Sequence, residues 1–66
     1  MAERYLREAL AVYEEYGDQL NVAETHEELG KLLDETGKEH EAKEELDRSR
    51  ILFETLLGQG EAESTD

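Results

Sequence analysis

The 66-residue sequence contains no cysteine and no proline, and only 7 lysine and arginine residues stand against 19 aspartate and glutamate residues. The absence of cysteine excludes disulfides, zinc sites with thiolate ligands and cysteine nucleophiles. The absence of proline leaves helical segments unbroken, and Glu, Leu and Ala are abundant, as in helical proteins. A chain this short forms one small domain with a modest core.

Long apolar runs are absent as well. No segment approaches the roughly 20 apolar residues that span a bilayer, and the N-terminus lacks the apolar stretch of a signal peptide, so we expect a cytoplasmic protein. The formal net charge is −12. This charge repels phosphates and anionic lipids, which disfavours nucleic acids and membranes as partners. It favours a protein or peptide partner that is basic rather than acidic, unless the surface is simply solvated.

Three segments carry apolar side chains at spacings of three and four residues, the period of an α-helix. We predict an all-α fold of three antiparallel helices, over about 2–16, 20–36 and 39–57. Gly17 and Gly37 would end the first two helices. For the second helix, Asn21 with Glu24 resembles a capping box, and Asp18 is an alternative start. Residues 1–57 would form the helical module and residues 58–66 an acidic flexible tail.

A shift of 40 residues places the first helix on the third. Small residues then match small ones, and an aromatic residue matches an aromatic one. The matched pairs are Ala2 with Ala42, Leu6 with Leu46, Ala9 with Ser49, Val12 with Leu52, Tyr13 with Phe53 and Tyr16 with Leu56. Matched small and aromatic positions are more than two unrelated amphipathic helices would share, because they set how closely helices pack.

The stretches GDQLNVAETHEELG and LLDETGKEHEA resemble the tetratricopeptide repeat, in its longer form of roughly 40 residues. The family places small residues, a Leu-Gly pair and a glycine turn at fixed positions. The residues that fill this packing pattern are Ala23, Leu29, Gly30, Leu33, Gly37, Ala42, Leu46, Ser49 and Phe53. The sequence departs from the pattern at His26 and His40, where large apolar or aromatic residues are common, and at Glu54, near a frequent proline.

The resemblance implies one and a half repeats, namely a helix B followed by a complete pair of helices A and B. Each repeat of this kind buries its core by stacking on neighbours. We therefore expect a non-enzymatic scaffold module from a longer array. The alternative is a self-assembling unit, natural or engineered, in which identical chains stack. Self-association would use the exposed side of the first or the third helix.

In tetratricopeptide proteins, helix A lines the concave groove that holds extended peptides. The matching outward positions form the predicted partner-binding face: Glu24, Glu27, Glu28, Lys31, Asp34 and Glu35. Family members that bind the carboxylate of an acidic peptide carry Lys, Arg and Asn there. The nearly opposite charge of this face favours a basic ligand.

The two histidines do not form a recognisable metal motif. A di-iron bundle needs a glutamate three residues before each histidine. The residue at that position is Ala23 for His26 and Gly37 for His40. We expect no metal and no cofactor, with His26 as a partly buried packing residue. Ser49 has no base near it, and the carboxylates fall on solvent faces rather than in an enclosed site. We therefore expect no catalytic residues and no enzyme activity.

Overall fold

A computed structural model describes the backbone of residues 2–64 and the side chains of residues 2–58. Helix α1 spans Ala2–Tyr16, α2 spans Gln19–Glu35 and α3 spans Glu39–Ser64. The described residues contain no strand, so the predicted all-α fold of three helices is confirmed. None of these helices is long and apolar enough to cross a membrane.

Both connections between helices are the same glycine turn. Gly17 and Gly37 adopt φ values of +69° and +86°, the left-handed region that glycine reaches without a Cβ penalty. At the first turn, the Asp18 amide donates to the Tyr13 carbonyl over 2.9 Å. At the second, the Lys38 amide donates to the Leu33 carbonyl over 2.8 Å. These bonds satisfy carbonyls that the helix end leaves free. The chain reverses within two residues at the first turn and within three at the second.

The structure decides between the two predicted starts of α2. Asp18 is the N-cap, and its side chain accepts a hydrogen bond from the Asn21 amide. The Asn21 side-chain amide also donates to Asp18 Oδ2 over 2.6 Å. The predicted capping box at Asn21 is therefore wrong and the alternative start at Asp18 is right, because Asn21 lies inside the first turn and serves as the partner of the cap. Helix α2 begins and ends one residue earlier than predicted.

Helix α3 continues to Ser64, seven residues beyond its predicted end at Leu57. Positive φ occurs among the described residues only at Gly17 and Gly37, so Gly58 does not form the left-handed turn that ends a helix. A glycine inside a helix costs about 1 kcal/mol relative to alanine, which reduces helix stability without forcing a turn. Flexibility of residues 58–66 stays a prediction, and residues 65–66 lie outside the described residues.

The three helices form a flat molecule in which α2 lies between its neighbours. Helix α2 packs against both α1 and α3, whereas no described Cα atom of α1 lies within 8 Å of one in α3. The Cα atoms span 45 × 25 × 11 Å. The Cα atoms of two stacked helix layers would span roughly 13–15 Å, from an interaxial distance of about 8–10 Å plus the diameter of about 4.6 Å of the Cα cylinder. The molecule is therefore thinner than two layers, and its helices keep broad exposed faces.

The core lies along the α2–α3 seam. Leu29 and Leu33 of α2 are fully buried, and Ala42 of α3 packs against them. From α1, Leu6 packs onto this cluster. Burial of each leucine contributes about 1.5–3 kcal/mol. Because both leucines belong to α2, the stability of the fold depends chiefly on this helix. Helix α1 contributes no buried residue.

Candidate interaction surfaces

The predicted partner-binding face lies on the side of α2 that its neighbours leave open. The line of Leu29 and Leu33 faces the core, and the residues on the opposite side point to solvent. Glu27 is half-buried and pairs with Lys31 over 3.7 Å. The other members of the face are exposed: Glu24, Glu28, Lys31, Asp34 and Glu35. We call these six residues the acidic stripe. With five carboxylates and one ammonium, its formal charge is −4.

The residues of the predicted packing pattern lie at the α2–α3 seam and at its turn. Six of them are buried: Ala23, Leu29, Gly30, Leu33, Ala42 and Ser49. Phe53 is half-buried, and Leu46 lies just on the exposed side with one edge against α2. Gly37 is exposed because it forms the turn between the two helices.

Gly30 is the point of closest approach between α2 and α3. A Cβ at this position would lie 2.6 Å from Leu46 Cγ and 3.2 Å from the Ala42 carbonyl oxygen. The first distance is shorter than van der Waals contact allows. Gly30 therefore lets the two backbones approach, as expected for a glycine held inside a helix by packing.

A buried polar pair crosses the same seam. His26 Nδ1 lies 2.6 Å from Glu45 Oε1, and both side chains are almost completely buried. A carboxylate can only accept, so Nδ1 donates. The second carboxylate oxygen accepts from Arg48 over 3.2 Å. Burial of His26 was predicted from its position on the apolar face of α2. Its partner was missed, although Glu45 lies three residues after Ala42 and four before Ser49, on the apolar stripe of α3.

A shallow groove of about 680 Å³ runs along the α1–α2 seam. Its lining includes Ala11, Leu32 and two ion pairs of α1. Arg7 pairs with Glu3 over 3.1 Å and Arg4 with Glu8 over 3.3 Å. The charges of the lining thus neutralise one another, which leaves no net charge to attract an ionic ligand.

Glu3 is held by two cations from different parts of the chain. The hydrogen bond from Arg7 lowers the pKa of the Glu3 carboxyl, and the ammonium of Lys38 adds to the effect. Lys38 follows the turn after α2, so its contact with Glu3 ties α1 to the end of α2. Because the pair is exposed to solvent, its main consequence is to fix position rather than to stabilise strongly.

No group of three or more His, Asp or Glu side chains in the described part of the chain lies close enough to hold a metal ion. His40 is exposed and lies 3.7 Å from Glu44 on the same helix. Ser49 is buried at the helix seam, where a small side chain fits. What the geometry offers is therefore a set of surfaces: the acidic stripe and the uncovered side of α1.

Comparison with known protein families, with curated proteins and with solved structures finds no match to this chain. The resemblance to the tetratricopeptide repeat accordingly stays a prediction from the residues quoted above.

Proposed function

We propose that this chain is a non-enzymatic protein-interaction module whose acidic stripe binds a basic peptide segment. The observation that carries the proposal is the placement of the six residues of the stripe on one continuous, open side of α2. The helix that presents them is fixed from behind by the buried leucines of the core. A rigid helix that displays a formal charge of −4 along one side is a suitable scaffold for an extended ligand of opposite charge.

The dimensions of the stripe define its ligand. From Glu24 to Glu35 the stripe extends about 17 Å, at a rise of 1.5 Å per residue. An extended peptide of about five residues covers this length at roughly 3.3 Å per residue. Two or three arginines in such a peptide could each reach a carboxylate. Exposed ion pairs contribute at most about 1 kcal/mol each, so binding is weak and falls as salt rises.

The resemblance to the tetratricopeptide repeat supports the same proposal, because helix A lines the ligand groove in that family. Here the groove-facing helix is α2. A cytoplasmic location belongs to the proposal too. Stacking on neighbouring repeats of a longer array would extend the stripe into a longer surface.

Peptide binding with a charge-matched control tests the proposal. The probes are a labelled peptide with arginine at alternate positions and the same peptide with glutamate in place of arginine. In the test variant, Glu24, Glu28 and Glu35 are replaced by glutamine. The control variant carries E14Q, E15Q and E54Q, three exposed glutamates outside the stripe.

We expect the arginine peptide alone to bind, and the test variant to lose about tenfold in affinity, as three weak ion pairs predict. The control variant should lose less than threefold. Equal losses in the two variants would show that net charge, not the stripe, attracts the peptide. Equal weak binding of both peptides would exclude the basic ligand altogether.

Self-assembly is a second candidate function, and α1 favours it. This helix has no fully buried residue, and its Tyr5, Val12 and Tyr16 side chains are exposed, although Leu6 packs on the core. An additional helix would cover the exposed side chains, and an identical chain is one source of it.

A further inference from the structure

The exposed apolar residues of α1 lie in one line. Tyr5, Val12 and Tyr16 are 70%, 50% and 79% exposed. With Ala9 between them, they fall within an arc of about 60° at 3.6 residues per turn. We call these four residues the α1 line. The exposed apolar residues of α3, namely Leu46, Ile51 and Leu57, are spread over more than about 100° of that helix. Scattered apolar residues are ordinary on a surface, whereas a contiguous patch indicates an interaction site.

The face of α3 that matches the α1 line is packed against another helix. The 40-residue repeat places the α1 line on Glu45, Ser49, Leu52 and Leu56. In α3, Glu45 and Ser49 are buried, and Leu52 and Leu56 are half-buried. The helix that buries Glu45 is α2, through its pair with His26. The same face of the repeat is therefore packed against α2 in α3, whereas in α1 Tyr5, Val12 and Tyr16 are exposed and only Ala9 is half-buried.

Charge indicates the occupant of this face and its orientation. Helix α1 is the least acidic of the three, with four carboxylates and two guanidinium groups. In its N-terminal half, Arg4 and Arg7 are neutralised by Glu8 and Glu3. The C-terminal half carries the uncompensated Glu14 and Glu15. Two copies of α1 in parallel would place these acidic ends together, whereas antiparallel copies place each acidic end beside the neutral N-terminal half of the other copy and avoid this repulsion.

We propose that the α1 line is a homodimer interface, in which α1 pairs with α1 of a second copy in antiparallel orientation. Tyr5 then lies opposite Tyr16 of the second copy, and Ala9 opposite Val12 of the second copy. The small side chain of Ala9 lets the two helices approach near the middle of the interface. Arg4 lies on the same edge of α1 as Glu15, so each Arg4 comes within about one helical turn of Glu15 of the second copy.

The size of the α1 line sets the strength of the pairing. A fully buried aromatic side chain covers about 150–250 Å². The 70% and 79% exposed parts of Tyr5 and Tyr16, with half of Val12, therefore give roughly 300–450 Å² per copy. Stable interfaces bury about 800 Å² per partner. The dimer is therefore weak and concentration-dependent. Each copy carries a net charge of −12, and screening of this repulsion by salt should tighten the dimer. The inference rests on the self-assembly candidate and not on the acidic stripe.

Sedimentation equilibrium at 0.05 M and 0.5 M salt tests the interface, with a matched pair of variants. Val12→Glu places a carboxylate in the α1 line, and Ile51→Glu makes the same change on α3 at a residue that is 56% exposed. We expect the wild-type mass to rise from 7.6 kDa toward twice that value with concentration, more so at high salt. V12E should raise the dissociation constant at least tenfold, and I51E less than threefold, with the helical circular dichroism unchanged in both.

A wild-type chain that stays monomeric at millimolar concentration and high salt would overturn both the interface and self-assembly. Loss of the dimer in I51E but not in V12E would overturn the α1 interface alone. Neither result bears on the peptide-binding test of the acidic stripe, which uses different residues and a different readout.

Single-cysteine crosslinking tests the orientation, because the chain has no cysteine of its own. In the antiparallel pair, the cysteine of Ala9→Cys lies about 4–5 Å along the helix axis from the same cysteine of the second copy, and the two form a disulfide. Arg4→Cys and Glu15→Cys lie at the flank of the pair, where the helix separation of about 8–10 Å is too long for a disulfide, so a short bismaleimide is used. It should join neither variant with itself, but should join an equimolar mixture of the two. Crosslinking of R4C and E15C each with itself would instead show a parallel pair and overturn the proposed arrangement.

Discussion

The buried pair of His26 and Glu45 gives the sharpest test of how the α2–α3 seam is held together. Their side chains are only 7% and 9% exposed, and the Nδ1–Oε1 distance is 2.6 Å. Replacement of Glu45 by leucine keeps the volume similar but leaves the His26 N–H buried without its acceptor. Replacement of His26 by leucine leaves a buried carboxylate with Arg48 as its remaining partner. An unsatisfied buried polar group costs about 1–3 kcal/mol, and more if it is charged.

We therefore expect H26L and E45L each to lower the free energy of unfolding by about 2 kcal/mol. The double variant H26L/E45L should lose less than about 1 kcal/mol rather than the sum of about 4, since neither buried polar group of the pair then remains. The expected coupling energy is therefore about 3 kcal/mol or more. A chain of this length has a total stability of roughly 3–10 kcal/mol, so each single change is a large fraction of the whole.

Urea denaturation followed by circular dichroism measures these effects. For a small domain with a slope of about 1 kcal/mol/M, each single variant should lower the midpoint by about 2 M. The exposed pair of His40 and Glu44 is a matched control, with the same residue types four residues apart on α3. The variants H40L and E44L should each change stability by less than about 0.5 kcal/mol and show no coupling. If the losses in H26L and E45L simply added, the buried hydrogen bond would not be what stabilises the seam.

Three further predictions concern packing and charge. Gly30→Ala should destabilise by about 1 kcal/mol in urea denaturation, because the strain of a Cβ at 2.6 Å from Leu46 Cγ outweighs the gain in helix propensity, and L46A in the same chain should relieve that strain. A carbon-13 NMR titration should give Glu3 a pKa below its ordinary value of 4.5, with Arg7→Gln raising it. Since that pKa is lowered in the folded state, the contribution of Glu3 to stability is present above pH 4.5 and is lost as the pH falls through the folded pKa. Moderate salt should raise the melting temperature by screening the net charge of −12, and a fall with added salt would show that specific ion pairs dominate.

The periodicity of apolar residues was sufficient to predict three helices, and glycine positions were sufficient to predict both turns. Gly17 and Gly37 adopt the left-handed conformation that ends a helix, and a new helix begins two residues after each. The prediction that a helix also ends at Gly58 was wrong, because Gly58 lies inside α3. A glycine permits the left-handed turn but does not impose it, so the end of α3 depended on the backbone hydrogen bonds that continue to Ser64.

The sequence by itself determined which residues of α2 face the core and which form the acidic stripe, because a helix fixes the angular position of every side chain. Only the tertiary structure decided what each face meets. It paired His26 with Glu45, a residue 19 positions away, whose burial is unexpected for a glutamate in a sequence rich in exposed ones. It also placed α2 between its neighbours and left the α1 line open. Such outcomes depend on contacts between helices, and the period of a single helix carries no information about its neighbours.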